Sequence, residues 1–349
     1  MELDFEKRVY EIDGQINELK KLQSSKGIEY SYEIRKLEKE KVIELKETYS
    51  NLTAWQVVQT ARHPKRPKFQ NYLENIIVDF KELHGDRCFG DDKAIITGLG
   101  KIGREKIMLI GNNKGGTINA DIKIKVLEDE LIECRHAGRR KEIEDERKRL
   151  IEEEMRVKAG YANPEGYRKA LLKMKLAEKY NIPVVTFIDT PGAYPGIGAE
   201  ERGQASAIAV NLREMSRLKV PIISIVIGEG GSGGALGIGV ADKFAMLEYS
   251  YYSVIAPEAC AAILWRDKKY AAEVAEALKL TSKDLYKLRL IDDIISEPLG
   301  SAYRNHRETF SNVKLYIEKT MNNLKNIPLD ELLKRRYEKL MNIGKISKI

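Results

Sequence analysis

Phe5, Val9, Ile12, Ile16 and Leu19 follow one another at intervals of four, three, four and three residues, with charged positions between them. That spacing lines all five along one face of a helix. A polar break at Ser24-Ser25-Lys26-Gly27 precedes a second charged helical stretch through Leu45. Residues 1–50 therefore read as an N-terminal helical hairpin. It either packs on a larger body or a partner, or stands as a solvated decoration.

From about Trp55 the pattern changes to short β-rich runs at 94–99, 107–110, 184–188, 222–227, 244–247 and 253–256. Helical stretches at 165–180 and 200–218 separate the later ones. VVTFI (184–188) and IISIVI (222–227) are apolar at successive positions, as strands covered by helices on both faces must be. Alternation of this kind predicts an α/β body with βαβ units over residues 51–310.

Residues 121–158 break the alternation with 11 Lys/Arg, 12 Asp/Glu, no proline and one glycine, Gly138. Strong helix formers dominate, and opposite charges recur three and four residues apart. The segment reads as a long helix or helical hairpin inserted into the body. It serves either a partner or nucleic acid, or is a solvated structural insertion, the reading its nearly cancelling charges favour. The tail, 311–349, is again helical and polar.

The 349 residues hold 60 Lys/Arg against 53 Asp/Glu, a net charge of +7. That favours acidic partners such as nucleic acid, anionic membrane or phosphate-bearing substrates, but only weakly, because the difference is small. Cys88, Cys134 and Cys260 lie far apart, which argues against a disulfide framework and against a zinc ribbon in this chain. No metal is expected. No apolar run approaches the ~20 residues of a membrane span. The charged start MELDFEKRVYEIDG is no signal peptide. A cytoplasmic protein is expected.

The candidate chemistry lies in glycine. Residues 228–239, GEGGSGGALGIG, hold seven glycines among twelve positions and directly follow the buried run 222–227. Such density costs backbone entropy and implies close backbone approach, either to a ligand or between helix and sheet. A strand ending in this loop at a helix start aims several N–H groups at one point, which suits a developing oxyanion. A second turn, DTPGAYPGIG (189–198), follows the preceding strand and also leads into a helix. Two such crests at the carboxyl ends of neighbouring strands would form the crevice where α/β sheets bind ligands.

Rival readings use the same residues. Gly230-Gly231-Ser232-Gly233-Gly234 matches the G-x-S-x-G elbow of serine hydrolases, with Asp267 or Asp292 and then His306 in the matching order. No HGGG-like stretch accompanies it. Asp189-Thr190-Pro191-Gly192 matches a GTPase DxxG without any GxxxxGK[ST]. His63, His84, His136 and His306 are isolated in sequence and lack metal-ligand spacing.

Longer motifs are specific. TFIDTPGAYPGIGAEERGQASAIAVNLREM and VPIISIVIGEGGSGGALGIGVAD closely resemble the carboxyltransferase alpha subunits of bacterial acetyl-CoA carboxylase. AWQVVQTARHPKRP (54–67), HGDRCFGDDKAI (84–95), NPEGYRKAL (163–171), YSYYSVIAPEACAAILW (249–265) and IDDIISEPLG (291–300) agree in family order. The resemblance implies a crotonase/ClpP-like ββα spiral domain with helical extensions. It further implies transfer of a carboxyl group from carboxybiotin to acetyl-CoA, giving malonyl-CoA for fatty-acid synthesis. Biotin would be carried on a biotin carboxyl carrier protein, not on this chain. The implied partners are a zinc-ribbon beta subunit in an α2β2 assembly and, for the whole cycle, biotin carboxylase with ATP. A related acyl-CoA carboxyltransferase subunit is one alternative; a nucleic-acid-binding or scaffold protein is another.

By that resemblance, the backbone of Gly230, Gly231, Gly233 and Gly234 carries the oxyanion role. Gly192 and Ala193 form a second substrate-binding set, and Ser232 is a passenger of the turn. Lys114 is a candidate for meeting a phosphate or carboxylate, against the alternative of a surface lysine. The sequence departs from the family pattern in three places. Gly111-Asn112-Asn113-Lys114-Gly115-Gly116 lacks the usual Gln and Arg, the charged segment 121–158 replaces a short linker, and Ala259 stands where glycine is common.

Overall fold

The computed structural model of the chain describes residues 2–26, 29–115, 118–134 and 137–345. Helices α1 (Lys7–Lys26) and α2 (Ser31–Ser50) pack together through Ile12, Ile16 and Ile34. Their inner end is not a free decoration. Val9, Leu45 and Tyr49 pack on Tyr249 of the body, and buried Glu6 accepts from Tyr49, Tyr303 and Arg304.

Helix α3 (Ala54–Ala61) opens with a reciprocal cap: Thr53 Oγ1 accepts from the Gln56 amide, and Gln56 Oε1 accepts from the Thr53 amide. After α4 (Phe69–Ile76) come three antiparallel strands, β1 (Val78–Glu82), β2 (Ile95–Ile102) and β3 (Glu105–Asn112). β1 is not anticipated from hydrophobicity, because VDFKE is a polar, largely exposed edge strand.

The charged segment is a pair of helices, α5 (Ile118–Glu133) and α6 (Ala137–Ala159). Much of it is solvated, but Glu154 and Val157 are buried near its root, and Leu127 and Ile143 are buried further along it. Helix α7 (Pro164–Lys179) leads into β4 (Val184–Thr190). The helix expected over 200–218 is two pieces, α8 (Ile197–Glu201) and α9 (Gln204–Ser216), because Gly203 turns the chain at φ 81°.

Strand β5 (Ile222–Gly231) and the one-turn helix α10 (Ser232–Leu236) follow. Next come β6 (Lys243–Leu247), β7 (Tyr251–Ser253), α11 (Pro257–Trp265), α12 (Ala271–Leu278), α13 (Ser282–Lys287) and β8 (Asp293–Ile295). The strand expected at 253–256 falls instead on the paired tyrosines Tyr251 and Tyr252, and Val254 projects into solvent. Helices α14 (His306–Lys325) and α15 (Leu329–Asn342) complete the chain.

β3, β4, β5, β6 and β8 run parallel in that order, and β7 joins β5 beyond the end of β6 on the same edge. Side chains alternate across this sheet as a period of two requires. Val184, Ile188, Ile222 and Val226 face α7, while Val185, Phe187, Ile223, Ile225 and Ile227 face Phe310, Val313, Ile317 and Met321 of α14. Helix α14 therefore crosses the 310/311 boundary and supplies core, while α15 is anchored by buried Arg336.

Candidate functional site

The two glycine-rich crests meet at the carboxyl ends of β4 and β5, which are adjacent and parallel. Their ladder is irregular there. Between the pairs Ile188–Val226 and Thr190–Gly230, β4 advances two residues while β5 advances four. The extra residues of β5 lift its end away from a regular pairing, and Asp189 fills the gap. Its Oδ1 accepts the Glu229 amide at 3.0 Å, and a Cβ on Gly228 would stand 2.6 Å from that oxygen.

The glycines divide into two groups. Gly230 and Gly231 are buried strand residues flanked by Thr190 on one side and by Tyr252 and Ser253 on the other. Their backbones take part in the ladder and give the crest its shape. A Cβ on Gly231 would collide with the Pro191 carbonyl. Gly233 and Gly234 lie in the first turn of α10, where N–H groups have no acceptor within the helix. Gly233 is partly exposed, and Gly234 packs on the other crest.

That other crest is also narrower than expected. The Gly192 amide donates to Thr190 Oγ1 at 3.0 Å, so it is already engaged. The Ala193 amide meets no acceptor among the described residues, and its neighbours are fixed: Tyr194 N donates to the Ala162 carbonyl at 2.9 Å. The amides of Gly233, Gly234 and Ala193 thus differ from those of Gly230, Gly231 and Gly192 in having no backbone or side-chain acceptor among the described residues.

Beneath both crests lies a charge cluster that hydrophobic patterning does not reveal. Lys114, just past β3, places Nζ 2.7 Å from Asp189 Oδ1 and 2.5 Å from Glu229 Oε2. Arg62 at the end of α3 donates through Nε to Glu229 Oε1 at 2.6 Å, through Nη2 to the Tyr251 hydroxyl at 2.9 Å, and through Nη1 to Glu258. Tyr251 in turn donates to Glu229 Oε1 at 2.7 Å. Burial alone would raise the Glu229 carboxyl, but the Lys114 and Arg62 charges outweigh it and hold it down at about 2. Burial would likewise lower the Lys114 ammonium, and Asp189 and Glu229 hold it above the ordinary lysine range. Lys114 is therefore neither a surface lysine nor turned to an outside anion; its side chain is 12% exposed and meets the protein's own carboxylates. The one signal in the sequence was that Asp189 and Glu229 close otherwise apolar strands, where a charge demands a partner.

Both feet of the charged hairpin stand here. One foot follows Lys114-Gly115; the other ends at Gly160, whose φ of +83° and lack of a side chain let it lie over the Lys114 methylenes. The Gly160 carbonyl accepts from Thr190 Oγ1 at 2.7 Å. Gly116 and His136 lie outside the described residues.

The hydrolase constellation is not assembled. Ser232 does sit at a strand-to-helix turn with φ 49°. However, His306 Nε2 is bonded to the Lys65 carbonyl at 2.8 Å, Asp292 pairs with Lys339, and Asp267 caps the turn at Lys269. His63 stacks on Tyr303, and His84 lies beside Asp91. Among the described residues no cluster of metal-ligating side chains is brought together.

The profile of the "acetyl co-enzyme A carboxylase carboxyltransferase-like" family matches residues 2–127 and 142–344. The chain belongs to the acetyl-CoA carboxylase carboxyltransferase family. It is 45% identical over 342 residues to the acetyl-coenzyme A carboxylase carboxyl transferase subunit alpha of Rhodopirellula baltica, covering 98% of this chain and 97% of that one. The Haemophilus influenzae subunit of the same name is 46% identical over 342 residues, with 98% of each chain covered.

Solved structures share the crotonase-like carboxyltransferase fold at lower identity. Transcarboxylase 12S matches with a TM-score of 0.50 at 16% identity over 75% of this chain, and this chain spans 44% of that one. The Pseudomonas malonate decarboxylase MdcD-MdcE heterodimer matches with a TM-score of 0.51 at 13% identity, over 72% of this chain and 90% of that chain. Apart from residue 1 and residues 345–349, the profile match omits 128–141, within the charged segment. The departure is thus shorter than the whole of 121–158. No helix of the described residues is long and apolar enough to cross a membrane.

Proposed function

We propose that this chain is the carboxyltransferase α subunit of an acetyl-CoA carboxylase, transferring a carboxyl group from carboxybiotin to acetyl-CoA to form malonyl-CoA. The reading is supported by family membership along nearly the whole chain and by one geometric observation. The amino end of α10 is backed onto the 191–193 turn through direct backbone contact of Gly234 with Gly192 and Ala193, which brings the first-turn amides of α10 beside the Ala193 amide.

Biotin, brought by a separate carrier protein, would supply the carboxyl group and the base for the acetyl methyl when bound. The residues of this chain fit that chemistry, which asks for N–H donors rather than an acid–base side chain. Gly233, Gly234 and Ala193 hold negative charge that develops opposite them. Gly230 and Gly231 keep the strand end flat enough for the turns to touch. Because the donors are held before reaction begins, their interaction strengthens as charge develops and favours the transition state over bound substrate. The reading places the chain in the cytoplasm with a beta subunit in an α2β2 assembly, where the beta subunit shapes the acyl-CoA pocket. Biotin carboxyl carrier protein and biotin carboxylase complete the cycle.

The test is co-expression with a candidate beta subunit, followed by malonyl-CoA decarboxylation with a free biotin derivative. The wild-type complex should turn over. Gly231→Val, which drives a side chain into the Pro191 carbonyl, should lose about 100-fold or more while the complex still assembles. Full activity in Gly231→Val, or an inert wild-type complex that instead binds RNA in a salt-sensitive way, would reject the reading.

A further inference from the structure

The charge cluster under the crests has no part in the transfer chemistry described above, yet it joins the two strands that carry them. Asp189 is the penultimate residue of β4, and Glu229 immediately precedes Gly230 on β5. At the irregular stretch of ladder between them, side chains replace backbone pairing. Asn112 Oδ1, on β3, accepts the Asp189 amide at 3.1 Å, Asp189 Oδ1 accepts the Glu229 amide at 3.0 Å, and the Lys114 ammonium bridges both carboxylates.

We infer that Lys114 is a positioning residue for carboxyl transfer: by bridging Asp189 and Glu229 it holds together the two backbones from which the amide-bearing turns spring. The inference rests on the proposed carboxyl transfer. Two observations separate it from direct substrate binding. The Lys114 ammonium already lies within 2.7 Å of two carboxylates, and Gly160 covers its methylenes.

Without the ammonium, Glu229 keeps Arg62 and Tyr251 on Oε1. Its Oε2 and the Asp189 carboxylate, however, lose the cation between them and face each other across neighbouring strands with little water to screen them. Their repulsion spreads the strand ends, and their charge opposes any anion held on the turns above. Both consequences act where charge develops in the transition state. They therefore fall on kcat rather than on the binding of the CoA thioester. Neutralising Glu229 removes the repulsion that Lys114 opposes, so the two substitutions are expected to compensate.

The experiment uses the full complex with the beta subunit, malonyl-CoA and a free biotin derivative, and compares Lys114→Met, Glu229→Gln and the double variant. Lys114→Met should lower kcat about 100-fold with the KM for malonyl-CoA within about twofold of wild type. The double variant should recover about tenfold or more of that loss. A Lys114→Met enzyme changed only in KM would make the lysine a substrate ligand and overturn the inference. So would losses that simply multiply in the double variant.

Should Lys114→Met fail to assemble, the double variant decides: activity within about tenfold of wild type supports the inference. An assembled but inert complex overturns it, as does failure of both variants to assemble. Amide hydrogen exchange in peptides covering 189–194 and 229–236 gives a readout that needs no turnover. Exchange there should quicken in Lys114→Met and return towards wild type in the double variant; unchanged exchange overturns the inference. An inert wild-type complex with this exchange pattern would remove the functional reading alone.

Discussion

Gly234 backs directly onto Gly192: a Cβ on Gly234 would stand 2.5 Å from the Gly192 carbonyl carbon and 2.7 Å from the Ala193 nitrogen. These neighbours are backbone atoms, which cannot swing aside as a side chain can. Even Gly234→Ala must therefore push the turns apart. We expect kcat for malonyl-CoA decarboxylation to fall about 100-fold, with the complex intact by gel filtration. Near wild-type turnover would show that contact between the turns is not needed.

Gly14 makes the opposite case. It lies in the exposed interior of α1 with nothing within 4 Å of an added Cβ. Gly14→Ala should raise stability by about 0.5–1 kcal/mol, through lower backbone entropy in the unfolded chain and better helix propensity. A higher thermal midpoint with unchanged activity checks this.

Ser232 adopts φ 49°, a region that serine occupies at some cost. Its hydroxyl has no histidine or acidic partner among the described residues. Ser232→Ala should therefore retain most carboxyl transfer, and Ser232→Gly should retain it with a modest gain in stability. Loss in Ser232→Ala as complete as a nucleophile deletion would revive the hydrolase reading.

Acid should loosen the body in a defined window. The Asp86 carboxyl is also held at about 2: burial opposes this, but the amides of Cys88, Phe89 and Gly90, with Arg168, outweigh it. Glu229 behaves likewise. Both pKa values are depressed on folding, so their contribution is fully present above the unfolded carboxylate range near ~4 and is lost as pH falls towards about 2. The thermal midpoint should drop steeply across that interval, and Glu229→Gln should flatten the slope. A profile unaltered by Glu229→Gln would contradict the assignment.

Arg336 ties α15 to the sheet. Its guanidinium donates to the carbonyls of Met215, Leu218 and Val220 and to both oxygens of Asp242, and its side chain has no solvent exposure. Arg336→Met leaves Asp242 without its counter-cation and removes a donor from three carbonyls. A loss of about 3–5 kcal/mol in denaturant unfolding is expected. A loss below about 1 kcal/mol would mean that α15 is held by its apolar contacts alone.

The strands at 184–188 and 222–227 were legible because both of their faces are buried, which forces continuous apolar runs. Edge strand β1 and short β8 carry no such pattern and were missed. Both glycine turns were legible from composition, since nothing but backbone contact explains their density.

Sequence alone could thus establish the α/β alternation, the placing of two glycine turns after neighbouring strands, and the family, because local propensity and motif spacing are written in consecutive residues. It could not show which amides remain available. Gly230 and Gly231 are paired in the sheet with Thr190, Tyr252 and Ser253, and the Gly192 amide donates to Thr190 within its own turn. Nor could it show that Lys114, 115 residues before Glu229, meets that carboxylate. Whether an amide is spare or a charge is neutralised depends on distances across the sheet, and only folding sets those.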